Sequence, residues 1–233
     1  MTFVISNIDK IIIPTYHNNM DLKVRDRTKK ELQVRKKEFL KICNTLDLFK
    51  INYFLSTGIL LGAVRDKSFI KWDWDVELSV FASEFLPKID LISEKLIKSG
   101  FKITKIIRNK DNSKIDFTGF YPREVTSYTI YAWQYSKIRD VYWRKELSIP
   151  SKFLNKFSKL KFLNRKFNCP NRCKEYLTFV YGNWKKPLRT SNKKIYLTKN
   201  YKKETLFYTI YLERFLMKIY NYSKLIIKFL KLK

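Results

Sequence analysis

The chain holds 233 residues, 45% hydrophobic and 16% aromatic, enough apolar surface for one folded domain with an extension and too much for a disordered polymer. Lysine and arginine total 49 against 21 acidic residues, a formal charge of +28, which favours phosphate-bearing partners without choosing among nucleotide, anionic lipid and nucleic acid. Three cysteines (Cys43, Cys169, Cys173) and one histidine (His17) make neither a paired CxxC zinc site nor a disulfide framework, as suits a reducing cytoplasm.

The opening stretch, MTFVISNIDKIIIP, lacks a basic segment followed by a long apolar core. No run approaches the roughly 18 apolar residues of a spanning helix, so the expected location is cytoplasmic. The charge is uneven: residues 151–233 carry 22 basic and 3 acidic residues, a net +19, which leaves +9 for residues 1–150.

Helical spacing of Leu32, Phe39, Cys43 and Leu46 predicts an amphipathic helix from Thr28 to about Lys50. Tyr53–Leu55 reads as a short strand. Ser56, Thr57 and Gly58 read as a turn, and Ile59–Arg65 as the opening of a helix, so backbone N–H groups of the turn can face an anion. Residues 72–80, WDWDVELSV, alternate as one strand, with Trp72, Trp74, Val76, Leu78 and Val80 on one face and Asp73, Asp75, Glu77 and Ser79 on the other.

Ser83–Ser99 predicts a packing helix with Gly100 as its stop signal. Phe101–Arg108 and Ile115–Phe120 flank the polar turn NKDNSK as a hairpin, which sets Asp116 between two apolar strand residues. Further strands are expected at Tyr128–Tyr135 and Leu160–Cys169, and a short helix at Asn171–Tyr181 ending at Gly182. From Glu204 onward, aromatic and aliphatic residues are interrupted by Lys218, Lys224, Lys228, Lys231 and Lys233. That pattern is a basic amphipathic helix, either lying on an anionic membrane surface or packed on the domain with its lysines in water.

Three carboxylates on one strand face repel one another and are costly to desolvate without a cation, and hard oxygen ligands of this kind hold the divalent metal of phosphoryl transfer. An edge strand with its acidic face in water is the competing explanation of an isolated DxDxE. The glycine-bearing turn about fifteen residues upstream and the later lone acid Asp116 favour the metal site.

Residues 55–78, LSTGILLGAVRDKSFIKWDWDVEL, resemble the signature of the LicD and fukutin family, an S/G-G-T/S-LLGA-R turn followed by W-D-x-D-hydrophobic-D. KIDFTGFYPR (114–123) resembles the family's hydrophobic-Asp-hydrophobic strand and FYPR-like segment. FLNRKFNCPNRCKEYLTFVYGNW (162–184) resembles its terminal block, a proline-asparagine turn before a helix ending in YG and a tryptophan. The resemblance extends over roughly residues 30–187.

It implies an α+β fold of the polymerase-beta-like nucleotidyltransferase type, a mixed sheet flanked by helices, at residues 28–190. A lead-in at 1–27 precedes it and a basic amphipathic helical extension at 191–233 follows. The implied activity is metal-dependent transfer of a phospho-alcohol, such as phosphocholine or ribitol phosphate, from a CDP-linked donor to a glycan or glycolipid hydroxyl, as in the building of lipopolysaccharide or another cell-surface polysaccharide. The implied cofactor is Mg²⁺ or Mn²⁺.

By the same resemblance Asp73 and Asp75 match the metal-binding aspartates, Glu77 stands where the family usually carries Asp, and Asp116 matches the later strand acid, as general base or as a further metal ligand. Ser56, Thr57 and Gly58 match the phosphate-approach turn, with Ile59 replacing a hydroxyl residue. Arg65 either holds a pyrophosphate through its planar fork or pairs with Asp66 or a strand acid. Lys71 and Tyr181 are lesser candidates, and Trp72 and Trp74 are expected in the core rather than stacked on a base.

Two other functions fit part of the sequence. One keeps the fold and adds NMP to a small molecule or phospho-sugar. The other is a non-enzymatic basic module binding nucleic acid or acidic lipid through residues 151–233, which leaves Asp73, Asp75, Glu77 and Asp116 without a purpose. Nucleic acid is therefore not an expected partner, whereas peripheral contact with the inner face of an anionic membrane stands open beside packing of the terminal helix on the domain.

Overall fold

The computed structural model describes residues 25–119, 126–190, 192–202 and 204–230. The opening stretch with His17, the Phe120–Arg123 part of the FYPR-like segment, Lys231 and Lys233 lie outside the described residues.

Helix α1 (Lys29–Leu48) begins with a reciprocal cap: the Glu31 amide donates to the Thr28 hydroxyl, and the Thr28 amide donates to the Glu31 carboxylate. Its buried stripe of Phe39, Ile42, Cys43 and Leu46 is the one that its helical spacing predicts. Two charged residues are buried on the same helix. Arg35 donates from Nη2 to the Asp73 carbonyl at 2.8 Å and from Nε to the Thr126 hydroxyl at 3.2 Å. Glu38 accepts from the Tyr128 hydroxyl at 2.7 Å and crowds Gly119 so closely that no Cβ fits there.

Among the described residues, seven strands form one mixed sheet: β1 (Tyr53–Leu55), β2 (Asp75–Phe81), β3 (Lys102–Ile107), β4 (Lys114–Thr118), β5 (Ser127–Ser136), β6 (Val141–Arg144) and β7 (Leu147–Pro150). The order is β1-β2-β5-β4-β3, with β6 paired to β5 and β7 to β6. Only β2 and β5 run parallel within it; the other pairs are antiparallel. Side chains alternate across the sheet. Val76, Leu78 and Val80 share a face with Tyr128 and Ile130 beneath α1, while Glu77 and Ser79 share the other with Thr129 and Tyr131.

Between β2 and β3 the single helix expected over 83–99 is broken into α3 (Ala82–Phe85), a 3₁₀ turn holding Pro87, and α4 (Ile89–Lys98). Proline has no N–H for the preceding turn, which accounts for the break. Gly100, at φ 97°, closes the segment. The strand expected at Leu160–Cys169 is instead a hairpin of β8 (Phe157–Phe162) and β9 (Arg165–Pro170). Leu163 and Asn164 both take positive φ in its two-residue turn, a conformation usually signalled by glycine. Helix α5 (Cys173–Tyr181) follows and ends at Gly182, φ 65°.

The folded body continues past the expected boundary at residue 190. After Gly182 the chain turns back: the Thr198 amide bonds the Val180 carbonyl at 2.9 Å, the Ser148 amide bonds the Tyr201 carbonyl at 3.0 Å, and Lys202 pairs with Leu147. A short helix, α6 (Lys193–Tyr196), lies in this return. Beyond it the terminal helix α7 (Glu204–Leu230) is tied to the body near its start, where Tyr211 and Arg214 both bond Asp111 and Arg214 lies 5.0 Å from the Trp143 ring centre. From Phe215 to Ile227 its side chains are exposed. This stretch is not packed on the domain.

Arg35 joins α1 to the chain just before β2, so truncation removes two buried hydrogen bonds and leaves a void. Arg35→Ala is expected to lower the unfolding free energy by about 3 kcal/mol, while the exposed Lys37→Ala stays within about 0.5 kcal/mol, as urea denaturation would measure.

Candidate active site

Strand β2 starts at Asp75 rather than at Trp72. The Asp73 amide closes a turn on the Ile70 carbonyl at 3.1 Å, and pairing with β5 is taken up only where the Ser127 amide reaches the Trp74 carbonyl. The two tryptophans therefore leave the alternation that would have sent them inward. Trp74 is 54% exposed, and Trp72 lies against the guanidiniums of Arg65 and Arg189, 5.9 and 5.2 Å from its ring centre. Both line the site; Trp72, half-buried, also packs against the edge of the core as expected, whereas Trp74 does not.

Facing the acids is α2 (Thr57–Leu61), continued as one π-helical turn (Gly62–Asp66). The helix starts at Thr57, where a free turn was expected before Ile59. Gly58 sits directly against the first acid: a Cβ there would stand 2.7 Å from Asp73 Oδ2. Thr57 holds φ at 48°, a strained value for a β-branched residue, and its hydroxyl donates to Glu77 Oε2 at 3.0 Å. Ser56 lies on the same face of the sheet but does not line the cavity. Fully buried, its hydroxyl lies 2.5 Å from that of Ser79 and 3.3 Å from that of Tyr131.

Asp73, Asp75 and Glu77 open onto a cavity of about 560 Å³ that Thr57, Gly58, Leu61 and Arg65 also line, a size suited to a nucleotide-scale ligand. Much of the remaining wall comes from the end of α5 and the returning chain after it, namely Tyr181, Trp184, Lys186, Tyr196 and Tyr201. Burial pushes the Asp73 carboxyl above the usual carboxylate range and the Glu77 charge adds to the rise, against a hydrogen bond with Asp75 and the field of Arg35. The Tyr196 phenol is pushed up to about 12 by burial, then by the fields of Asp75, Glu77 and Asp73.

Asp116 stands apart. In register it lies beside Thr129, which lies beside Glu77, so it shares the acidic face but sits two strand spacings away, about 10 Å. Its carboxylate pairs with Lys114 and accepts from the Thr129 hydroxyl at 2.9 Å, and it does not line the cavity. The expected grouping of Asp116 with the β2 acids is thus not assembled, because β5 is inserted between β2 and β4. Among the described residues, no three His, Cys, Asp or Glu side chains are grouped to hold an ion by themselves.

Arg65 lines the cavity while its fork grips Asp66 at 2.7 and 2.8 Å, so the ion pair is the arrangement present. Lys71 is exposed and lies off the cavity, whereas Tyr181 lines it.

The residues that sequence reasoning missed lie on the wall formed by β5, β6 and the returning chain. Arg144 lines the cavity with its guanidinium 4.1 Å from the Tyr131 ring centre and one nitrogen on Asn112 at 3.2 Å, yet its Nε is buried without a partner. The Tyr201 hydroxyl is likewise buried and unpartnered, in a residue 1% exposed. Such atoms are rare in folded proteins and ask for a polar ligand or water. No local motif marks either residue, since only the long-range fold brings them to the acids.

Residues 50–172 match the family model described as LicD/FKTN/FKRP, nucleotidyltransferase domain. The chain belongs to this family. It is 24% identical over 155 residues to ribitol 5-phosphate transferase FKRP of Mus musculus and 23% identical to that of Homo sapiens, matches that cover 60% of this chain and 30% of each relative. The chain thus corresponds to under a third of those proteins. Two solved structures of ANT(2'')-Ia also align, one with adenylyl-2''-tobramycin and one in solution. They share 11% and 12% identity, with TM-scores of 0.42 and 0.44. The alignments cover 59% and 82% of this chain, and 69% and 98% of those chains.

Two outcomes test this LicD-family site. Gly58→Ala should push Asp73 aside and, if Asp73 holds a divalent cation, weaken its binding as measured by calorimetry, while the protein stays folded. The second concerns pH. Asp73 has a folded-state pKa above its unfolded value, so the folded state holds the extra proton between the two values and stability is lost as pH rises through that window. In cation-free buffer Asp73→Asn should therefore become more stable than the parent as pH rises from about 4, and thermal melts across that range would show it.

Proposed function

We propose that the protein transfers a phospho-alcohol, such as phosphocholine or ribitol phosphate, from a CDP-linked donor to a hydroxyl of a glycan or glycolipid. The observation that carries this reading is the pairing of Asp73 and Asp75 at the floor of a cavity whose other walls supply aromatic rings and cations, in a chain of the LicD/FKTN/FKRP family.

The donor set suits Mg²⁺, which takes one or two carboxylates and fills its remaining positions with water and substrate phosphates. Asp73 and Asp75 would hold it, and the burial of the Asp73 carboxyl beside the Glu77 charge gives a reason for a cation there. Bound, the ion supplies neutralisation of charge on the transferring phosphate.

The chain's own residues do the rest. Arg144 and the Tyr201 hydroxyl, each with an unpartnered buried atom, receive phosphate oxygens. Trp72, Trp74 and Trp184 give flat apolar surface for the cytosine or the alcohol. Glu77, lining the cavity and steadied by Thr57, takes the proton of the attacking hydroxyl as its oxygen bonds the donor phosphorus and CMP departs with the bridging oxygen. Asp116, bound to Lys114 on a more distant strand, is a supporting residue in this scheme rather than the base.

With Mg²⁺ present, CDP-choline, CDP-ribitol, CDP-glycerol and CTP form a panel from which one CDP-alcohol should raise the melting temperature most, since a ligand that binds only the folded state stabilises it. Asp75→Asn should remain folded and lose turnover by on the order of a hundredfold or more. Mass spectrometry of the acceptor decides the reaction: a gain equal to the phospho-alcohol supports the proposal, and a gain equal to NMP assigns the nucleotidyl transfer instead.

A further inference from the structure

The exposed part of α7 is an unpartnered surface on which two properties coincide. At 3.6 residues per turn, Phe215, Ile219, Tyr222 and Ile226 fall in one stripe, and Leu216, Tyr220 and Ile227 widen it. All seven are exposed. Lys218 and Lys224 border this face, with Lys224 Nζ 4.8 Å from the Tyr220 ring centre, and Arg214 and Asn221 lie on the opposite side. From Arg214 to Lys233 the sequence holds six basic residues and no acidic one.

We propose that α7 lies flat on an anionic lipid bilayer, its aromatic and aliphatic stripe inserted at the headgroup boundary and its lysines meeting lipid phosphates. This inference stands independently of the reaction proposed above. The charge selects the occupant. A second copy of the exposed stretch 215–227 laid along the stripe would bring lysine rows together with no acid in either stretch to pair them, whereas helices that associate usually place glutamate opposite lysine at the flanks. The helix does not span the bilayer, because no helix among the described residues is long and apolar enough to cross one. Its attachment also fixes its relation to the cavity. Arg214 and Tyr211 bond Asp111, whose backbone carbonyl accepts from the amide of Lys145, next to the cavity residue Arg144. A bilayer-bound α7 therefore holds the cavity close to the membrane plane.

The test uses the full chain and sedimentation with vesicles of phosphatidylcholine alone or mixed with phosphatidylglycerol. The protein should pellet with the mixed vesicles, stay in solution with the neutral ones, and be released by high salt. Lys218→Gln/Lys224→Gln should weaken partitioning on the order of twentyfold, since each basic residue at the surface contributes roughly fivefold. Ile219→Glu/Ile226→Glu should abolish it while the melting temperature of the body is unchanged. Equal binding to both vesicle types would overturn the proposal, as would no binding to either. A stable dimer by light scattering that Ile219→Glu/Ile226→Glu converts to monomer would assign the stripe to a second copy and also overturn it.

Discussion

The site depends on the confinement of Asp73. Its carboxylate is set against Gly58, where a Cβ would intrude at 2.7 Å, and its carbonyl is held at 2.8 Å by Arg35, a buried arginine from another helix. These two contacts fix the turn that precedes β2 and so decide where the acidic side chains emerge. They also concentrate negative charge where water is scarce, which is unfavourable for the bare protein and favourable for one that binds a cation. The strained Thr57 belongs to the same arrangement, since the residue that holds this unfavourable backbone conformation also donates its hydroxyl to Glu77.

Much of this was legible in the sequence because it is local. The period of α1, the alternation of Val76, Leu78 and Val80, and the hairpin about NKDNSK each follow from spacing alone, and the glycine turn ahead of the acids marks their partner. The misreadings have distinct causes. Trp72 and Trp74 continue the alternation in the sequence, but a turn at Asp73 ends the strand before it includes them. Pro87 breaks a helix that its apolar residues favour. The β8–β9 turn uses Leu163 and Asn164 at positive φ, so the usual glycine signal is missing.

The site's remaining walls were beyond local reading. Asp116 looks like a partner of the β2 acids until the strand order is known, and only then does β5 appear between them. Arg144, Tyr196 and Tyr201 reach the cavity from segments far along the chain, and nothing near them in sequence distinguishes them from other basic or aromatic residues. The return of residues 183–202 over the cavity explains why the folded body outlasts the stretch that carries the family's motifs. It also brings Lys186, from the strongly basic C-terminal third, to the cavity that the acids line.

The central claim is that Asp73 and Asp75 form one cation-binding pair. Crystals soaked in Mn²⁺ with a CDP-alcohol and measured for anomalous scattering test it most directly. The account predicts a single strong peak bonded to carboxylate oxygens of both residues and to donor phosphate. A peak bonded elsewhere, at Asp116 for example, or a bound donor with no metal at Asp73 and Asp75, would contradict it.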